Sequence, residues 1–361
     1  MKNHLLQQVN KDAIPHAQLF LSSLGAGALP IALAFAQYIV CTNKSENDSC
    51  GVCAACVKAS KLIHPDIHFT FPVIKKSGSN KPSLSNDYLP AFRNAVISNP
   101  YIDEISWLST INDEAKQGNI TADECRQIIK NLNLKSFESP YKIQIIWMAE
   151  ALKKEGNILL KLLEEPTPNT VLILIAENQE AILSTIYSRC QIVKINAIDD
   201  AIVFEALKQK GVDEQKAERI AFLSNGNYSE ALQLTEKEID QDTLLLQEWF
   251  KHTIQFNTYA LNKWIDNYSK MSRENIKTFF KYILHVLRET LQLNFNQSYK
   301  VRLNEEEFKI AKALLKYLDL DKFAEIEKLI DNKHYEIERN VNTKVALMDL
   351  SINVHRIIAQ K

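Results

Sequence analysis

Over roughly its first two hundred residues the chain alternates short apolar runs with longer stretches whose apolar residues recur at helical spacing; beyond that only the helical pattern persists. Ala17-Gln18-Leu19-Phe20-Leu21 reads as a buried strand. It is ended by Ser22-Ser23-Leu24-Gly25-Ala26-Gly27, and a helical stripe follows from Leu29 to Val40. Asp66 to Phe71 alternates and carries aromatics, as strands do, Tyr141 to Met148 reads as a buried strand by its run of isoleucines, and Val171 to Ala176 is a continuous apolar strand. Thr121-Ala122-Asp123-Glu124 has the form of a capping box ahead of a helix with Cys125, Ile128, Ile129 and Leu132 on its inner side. Asn157 to Leu163 is helical, and Glu165-Pro166-Thr167-Pro168 breaks it.

Strands alternating with helices predict an α/β fold, a mostly parallel sheet covered on both faces. Lys75 to Ser85 is Lys, Ser, Gly, Asn and Pro, read as an exposed loop that opens an insertion ending near Ile120. A small helical unit from Asp199 to Leu234 turns a corner at Gly226-Asn227-Tyr228, and the remainder is helix after helix, including Asn275 to Leu293 and Glu306 to Leu318. The expected domains are therefore 1–198, with a cysteine module at 41–56 and an insertion at 75–120, then a helical lid at 199–236 and an all-α domain at 237–361.

Composition changes this picture little. A net charge of -1 offers no global field for nucleic acid or an anionic membrane, so any DNA contact must be local or shared with partners. The start of the chain lacks the apolar core of a secretory signal, and the run from Ala28 to Cys41, interrupted by Pro30 and Gln37, is too short to span a bilayer. A cytoplasmic protein without membrane contact is expected. In a reducing compartment, four of six cysteines crowded together suggest a metal site. Cys41, Cys50, Cys53 and Cys56 supply four thiolates for a closed tetrahedral site, which Zn²⁺ suits in a structural role. His64 or His68 replacing one thiolate is the variant, and Cys125 and Cys190 read as lone core thiols.

The strand, glycine loop and helix at 17–40 have the outline of a P-loop, in which backbone N–H groups, a Lys and a Ser or Thr serve the phosphates and Mg²⁺. Aligning Gly27 with the last glycine of that motif puts Ser22 at the first glycine, Ala28 in place of the Lys and Leu29 in place of the Ser or Thr. Gly25 and Gly27 remain, in a loop stripped of its ligating side chains. Trp147-Met148 follows Ile145-Ile146 where carboxylates for Mg²⁺ belong, and Glu150, the nearest acid, reads as a solvated residue at a strand-to-helix junction. ATP binding and intrinsic hydrolysis by this chain are not expected.

Several motifs in order resemble the delta-prime subunits of bacterial DNA polymerase III clamp loaders, kin of the gamma/tau ATPase subunits. They are His16-Ala17-Gln18-Leu19-Phe20, the four-cysteine spacing, Ile158-Leu159-Leu160-Lys161-Leu162-Leu163-Glu164-Glu165-Pro166, and Ser188-Arg189-Cys190. The likeness covers roughly residues 10–195. It implies an AAA+ domain, a helical lid and a helical collar that joins subunits into a ring within the polymerase III holoenzyme. The implied partners are delta and gamma/tau subunits and, through them, the sliding clamp and primed DNA. It also implies that Arg189 is an arginine finger reaching the ATP of a neighbour, where a structural ion pair is the plainer alternative. The turn Gly226 to Leu232 lacks the sensing arginine of active members, in keeping with the empty loop, and the insertion departs from the family's common form. Lys153, Lys154 and Lys161 are either DNA contacts or a solvated face. A weak or atypical P-loop ATPase and a zinc-bearing nucleic-acid-binding protein are the other readings.

Overall fold

The computed structural model describes residues 1–74, 83–111, 117–236, 239–295, 303–339 and 341–359. Its residues group into two compact units, 1–199 with 225–230, and 200–224 with 231–361. The first is built on five parallel strands, β1 (Ala17–Ser22), β2 (Ile67–Thr70), β3 (Lys142–Ile146), β4 (Thr170–Ala176) and β5 (Gln191–Ile195), in the order β2-β3-β4-β1-β5. Every neighbouring pair being parallel requires crossovers, which the chain makes through helices lying on both faces.

The helices of this unit are α1 (Lys2–Asn10), which precedes the sheet, and α2 (Ala28–Val40), α3 (Ala54–Ser60), α4 (Leu89–Ser98), α5 (Glu104–Ile111), α6 (Ala122–Asn133), α7 (Leu160–Glu164) and α8 (Ser184–Tyr187) between the strands. The two-residue period of β4 divides the core. Val171, Ile173 and Ile175 join a cluster with α2, α4 and α5, while Leu172, Leu174 and Ala176 join one with α6 and α7. Four of the strands fall on the apolar runs read from the sequence. The fifth, β5, has no such run, because Gln191 and Lys194 interrupt its apolar pattern on exposed positions. Helix α1 is equally silent in the sequence, being polar apart from a few residues such as buried Leu5.

Most of the exposed loop expected at 75–85 falls on residues 75–82, which with 112–116 lie outside the described residues, while 83–111 carries helices α4 and α5 and its first residues are partly or fully buried. Ser85 is 1% exposed, and its hydroxyl donates to the Phe71 carbonyl and accepts the Phe71 N–H. Phe92 of α4 stacks on Phe71 at a centroid distance of 4.0 Å, and Trp107 of α5 meets both rings edge-on at 5.0 and 5.3 Å. Phe92 and Trp107 are wholly buried, so this segment packs into the core.

The capping box at Thr121 is half formed. Thr121 accepts the Glu124 N–H at 3.4 Å, but the Glu124 carboxylate accepts instead from the Thr70 hydroxyl and the Ser85 N–H, so it ties α6 to the insertion. The segment after β3 is a 3-10 stretch over Ala149–Leu159, broken at Lys153 (φ 45°), that runs directly into α7, so Asn157 to Leu163 is helical as expected.

The second unit is helical: α9 (Asp200–Gln209), α10 (Glu214–Ser224), α11 (Tyr228–Glu236, whose first residues group with the first unit), α12 (Ile239–Ile254), α13 (Thr258–Tyr268), α14 (Arg273–Phe295), α15 (Glu305–Leu314), α16 (Leu320–Glu338) and α17 (Thr343–Ala359). Buried Arg219 of α10 forms an ion pair of 2.5 Å with Glu307 of α15, and Tyr282 of α14 donates to the same carboxylate at 2.5 Å. Among the described residues no helix is long and apolar enough to cross a membrane.

Candidate functional site

The glycine loop lies between β1 and α2, at the C-terminal edge of the parallel sheet where such folds place ligands. Gly25 (φ 62°) and Gly27 (φ 87°) both occupy the left-handed region, which lets the loop curl and deliver Gly27 as the N-cap of α2. The loop is therefore tightly curled at the start of α2. Ala28 and Leu29, where a Lys and a Ser or Thr would stand, are buried in the apolar core.

The surroundings of the loop are the chain's own. The Gly25 N–H donates to Glu177, the residue after β4, at 3.3 Å. Glu150 is half-buried, not solvated, and one of its carboxylate oxygens accepts the N–H groups of Glu177 and Asn178, the latter at 2.7 Å. A methyl group on Gly27 would fall 2.8 Å from the Tyr101 ring, and one on Gly25 would fall 1.7 Å from the Asn227 carboxamide oxygen. The Tyr228 N–H donates to the Gly25 carbonyl at 3.1 Å, its ring meets Tyr101 edge-on at 4.7 Å, and Ser229 donates to Asp103 at 3.1 Å. Burial pushes the Glu177 carboxyl up to about 7, with Glu150, Asp103 and Glu104 adding repulsion. Burial raises Glu104 as well. Trp147, at the position expected of a metal-binding acid, is 4% exposed and packs 5.8 Å from Phe92.

The cysteines converge. All four sulfurs of Cys41, Cys50, Cys53 and Cys56 lie within 4.8 Å of one another, with 3.6 Å between Cys41 and Cys50, 3.9 Å between Cys50 and Cys56, and 4.0 Å between Cys41 and Cys53. A tetrahedron of sulfurs around an ion at the usual bond length has an edge of about 3.8 Å, so the set fits a metal. The N–H groups of Cys50, Cys53 and Cys56 each donate to a preceding sulfur, at 3.3, 3.3 and 3.4 Å. Hydrogen bonds from the Thr42 side chain and from the Cys56 N–H bring Cys53 down to about 5. Burial pushes Cys56 up to about 12, so that thiol would lose its proton on binding an ion. Neither histidine joins the set: His64 is buried and its Nδ1 accepts the Asp66 N–H, and His68 lies on β2. Burial pushes both Cys125 and Cys190 up to about 12, as befits inert thiols.

Arg189 bonds to none of the loop's neighbours. Just beyond α8, it donates Nε–H to Glu164 at 2.8 Å and Nη1–H to the Thr185 carbonyl at 2.9 Å. Its side chain is 35% exposed. Lys153, Lys154 and Lys161 are exposed, and Lys153 donates to Asn119.

Sheet order and loop define a parallel α/β protein with a glycine turn between β1 and α2, in which buried Ala28 and Leu29 stand where a P-loop has its Lys and its Ser or Thr. The profile of the family DNA polymerase III, delta subunit, matches residues 1–199, and the chain belongs to that family. It is 28% identical over 202 residues to DNA polymerase III subunit delta' of Haemophilus influenzae, covering 56% of this chain and 49% of that one. It is 26% identical over 235 residues to subunit delta' of Bacillus subtilis, covering 65% and 58%. To subunit tau of Bacillus subtilis it is 28% identical over 246 residues, covering 66% and 35%. The chain thus matches about half the length of the first of these relatives.

Tyr101, Asp103, Glu177 and Asn227 carry no local signature of a site. Only Asn227 stands within a motif singled out from the sequence, the Gly226-Asn227-Tyr228 turn.

Proposed function

We propose that the chain is a non-hydrolysing subunit of a DNA polymerase III clamp loader, acting in the cytoplasm to help load a sliding clamp on primed DNA. Its partners would be delta and gamma/tau subunits. The observation that carries this reading is a curled glycine loop with Ala28 and Leu29 buried in the core, in a chain of the DNA polymerase III delta family. Such a loop offers no cation to a triphosphate, so chemistry belongs to a neighbouring subunit.

In that reading Arg189 is the arginine finger given in trans. Its place at the end of a short helix with a third of the side chain exposed supports this, since a guanidinium must be reachable to meet a neighbour's phosphates. The cysteine set would hold a structural Zn²⁺, which four thiolates bind without leaving a position for water. Residues 199–236 would act as a lid and 237–361 as the collar that fixes the subunit in its ring.

Reconstitution with delta and gamma/tau subunits of the same source tests the proposal. The chain is expected to co-elute with them, and Arg189→Ala to lower the DNA-stimulated ATPase roughly tenfold or more while assembly persists. Failure to assemble would end the clamp-loader reading. An unchanged rate would end the role of Arg189.

A further inference from the structure

We propose that the insertion supplies an internal ligand: its Tyr101, together with Glu177 and Asn227, occupies the phosphate cradle and closes it to nucleotides. This differs from the missing side chains, because it predicts that restoring them alone restores nothing.

Three independent features support it. The first is steric. The faces of Gly25 and Gly27 that the absence of a side chain leaves open are covered by the Asn227 carboxamide and the Tyr101 ring, which closes that side of the loop. The second is hydrogen bonding. The Gly25 N–H, a donor such a loop would present to a phosphate, already donates to Glu177, and the Tyr228 N–H, by donating to the Gly25 carbonyl, fastens the adjacent Asn227 over the loop. The third is charge. Asp103, Glu104 and Glu150 add repulsion to the Glu177 carboxyl, so acidic groups stand where a P-loop gathers cations.

The occupant is also anchored. Asp103 caps α5 through the Ser106 N–H at 2.7 Å while accepting from Ser229, and Tyr101 lies against Tyr228. Elsewhere in the same insertion, Phe92 packs on Trp147, so one segment fills the space at both positions where the nucleotide machinery is missing. A bulky Trp in place of a metal-binding acid is then a core residue of the closed site.

The test uses the full chain and Mg²⁺-ADP as probe, with binding followed by calorimetry. Wild type and A28K/L29T, which regains the side chains a P-loop uses, are expected to show no binding up to about 1 mM, whereas A28K/L29T/Y101A/E177A binds with a Kd of about 0.1 mM or below, a gain of at least about tenfold. Binding by A28K/L29T as tight as by the fourfold variant would overturn the proposal. So would a fourfold variant that keeps the wild-type circular dichroism spectrum and metal content yet binds nothing. Amide hydrogen exchange gives a reading free of the added residues: Tyr101→Ala is expected to speed exchange at 24–28 by about tenfold with β1 unchanged, and unaltered loop exchange would overturn occupancy. None of these measurements depends on assembly with other subunits, so their outcome is separate from that of the clamp-loader reading.

Discussion

Arg189 and Glu164 form a forked ion pair, with Nε and Nη2 of the guanidinium 2.8 and 2.6 Å from a single carboxylate oxygen. With Nη1 held by the Thr185 carbonyl and, at 3.3 Å, by the Ser188 hydroxyl, most of the five guanidinium donors are engaged within the chain. Both partners are substantially exposed, so the pair contributes little to folding. Arg189→Ala and Glu164→Ala are each expected to shift unfolding free energy by less than about 1 kcal/mol, read from urea denaturation. In the reconstituted assembly, Glu164→Ala should change ATPase turnover only where Arg189 is present. An equal effect in the Arg189→Ala background would assign Glu164 some other task.

Glu177 makes stability depend on pH. Its carboxyl keeps a proton up to about pH 7 in the folded chain and only to the ordinary carboxylate range, about 4.3, when unfolded. Between those values the folded state binds more protons, so this group's contribution declines as pH rises through the window. Glu177→Gln removes the penalty of burying a charge among Glu150, Asp103 and Glu104. It should stabilise the chain by roughly 1–3 kcal/mol at pH 8 and by much less at pH 5. Thermal melts of variant and wild type at the two pH values measure the difference.

The cysteine set predicts a metal equivalent that depends on all four sulfurs. Elemental analysis should find about one Zn²⁺ per chain, falling below about half in Cys53→Ser. Chelation should make the segment 41–56 the first site of limited proteolysis, since its N–H to sulfur bonds alone give little ordering there. Protease resistance that ignores the chelator would remove the metal from the account.

Buried Glu307 faces Arg219 and Tyr282, and truncation would leave a cation without its counter-charge. Glu307→Ala is expected to cost about 3–5 kcal/mol, whereas R219M/E307L, which removes both charges and keeps volume, should recover most of that loss. Calorimetric melts of the pair of variants decide it. A double variant as unstable as the single one would mean that Tyr282 and Thr243, also hydrogen-bonded there, depend on the carboxylate more than Arg219 does.

The parts of this protein legible in its sequence are those governed by short range. Four strands are readable because β1, β3 and β4 are rich in apolar residues and wholly or nearly buried, and β2 alternates with aromatics. β5 escapes because an edge strand tolerates Gln191 and Lys194 on its exposed positions. The cysteine site is legible because ligands within a few residues of each other are brought together by one turn, whatever the rest of the chain does.

What fills the glycine loop was decided only by tertiary structure. Ala28 and Leu29 state from the sequence alone that a phosphate has lost its cation and its hydroxyl. That Tyr101 covers Gly27 and Asn227 covers Gly25 depends on two distant segments packing onto one turn. No local propensity encodes such an approach, because it follows from burying Phe92, Trp107 and Trp147 in a common core. The burial of Glu177 likewise follows from that packing, and a carboxylate's charge state is set by the neighbours it acquires on folding rather than by its place in the chain.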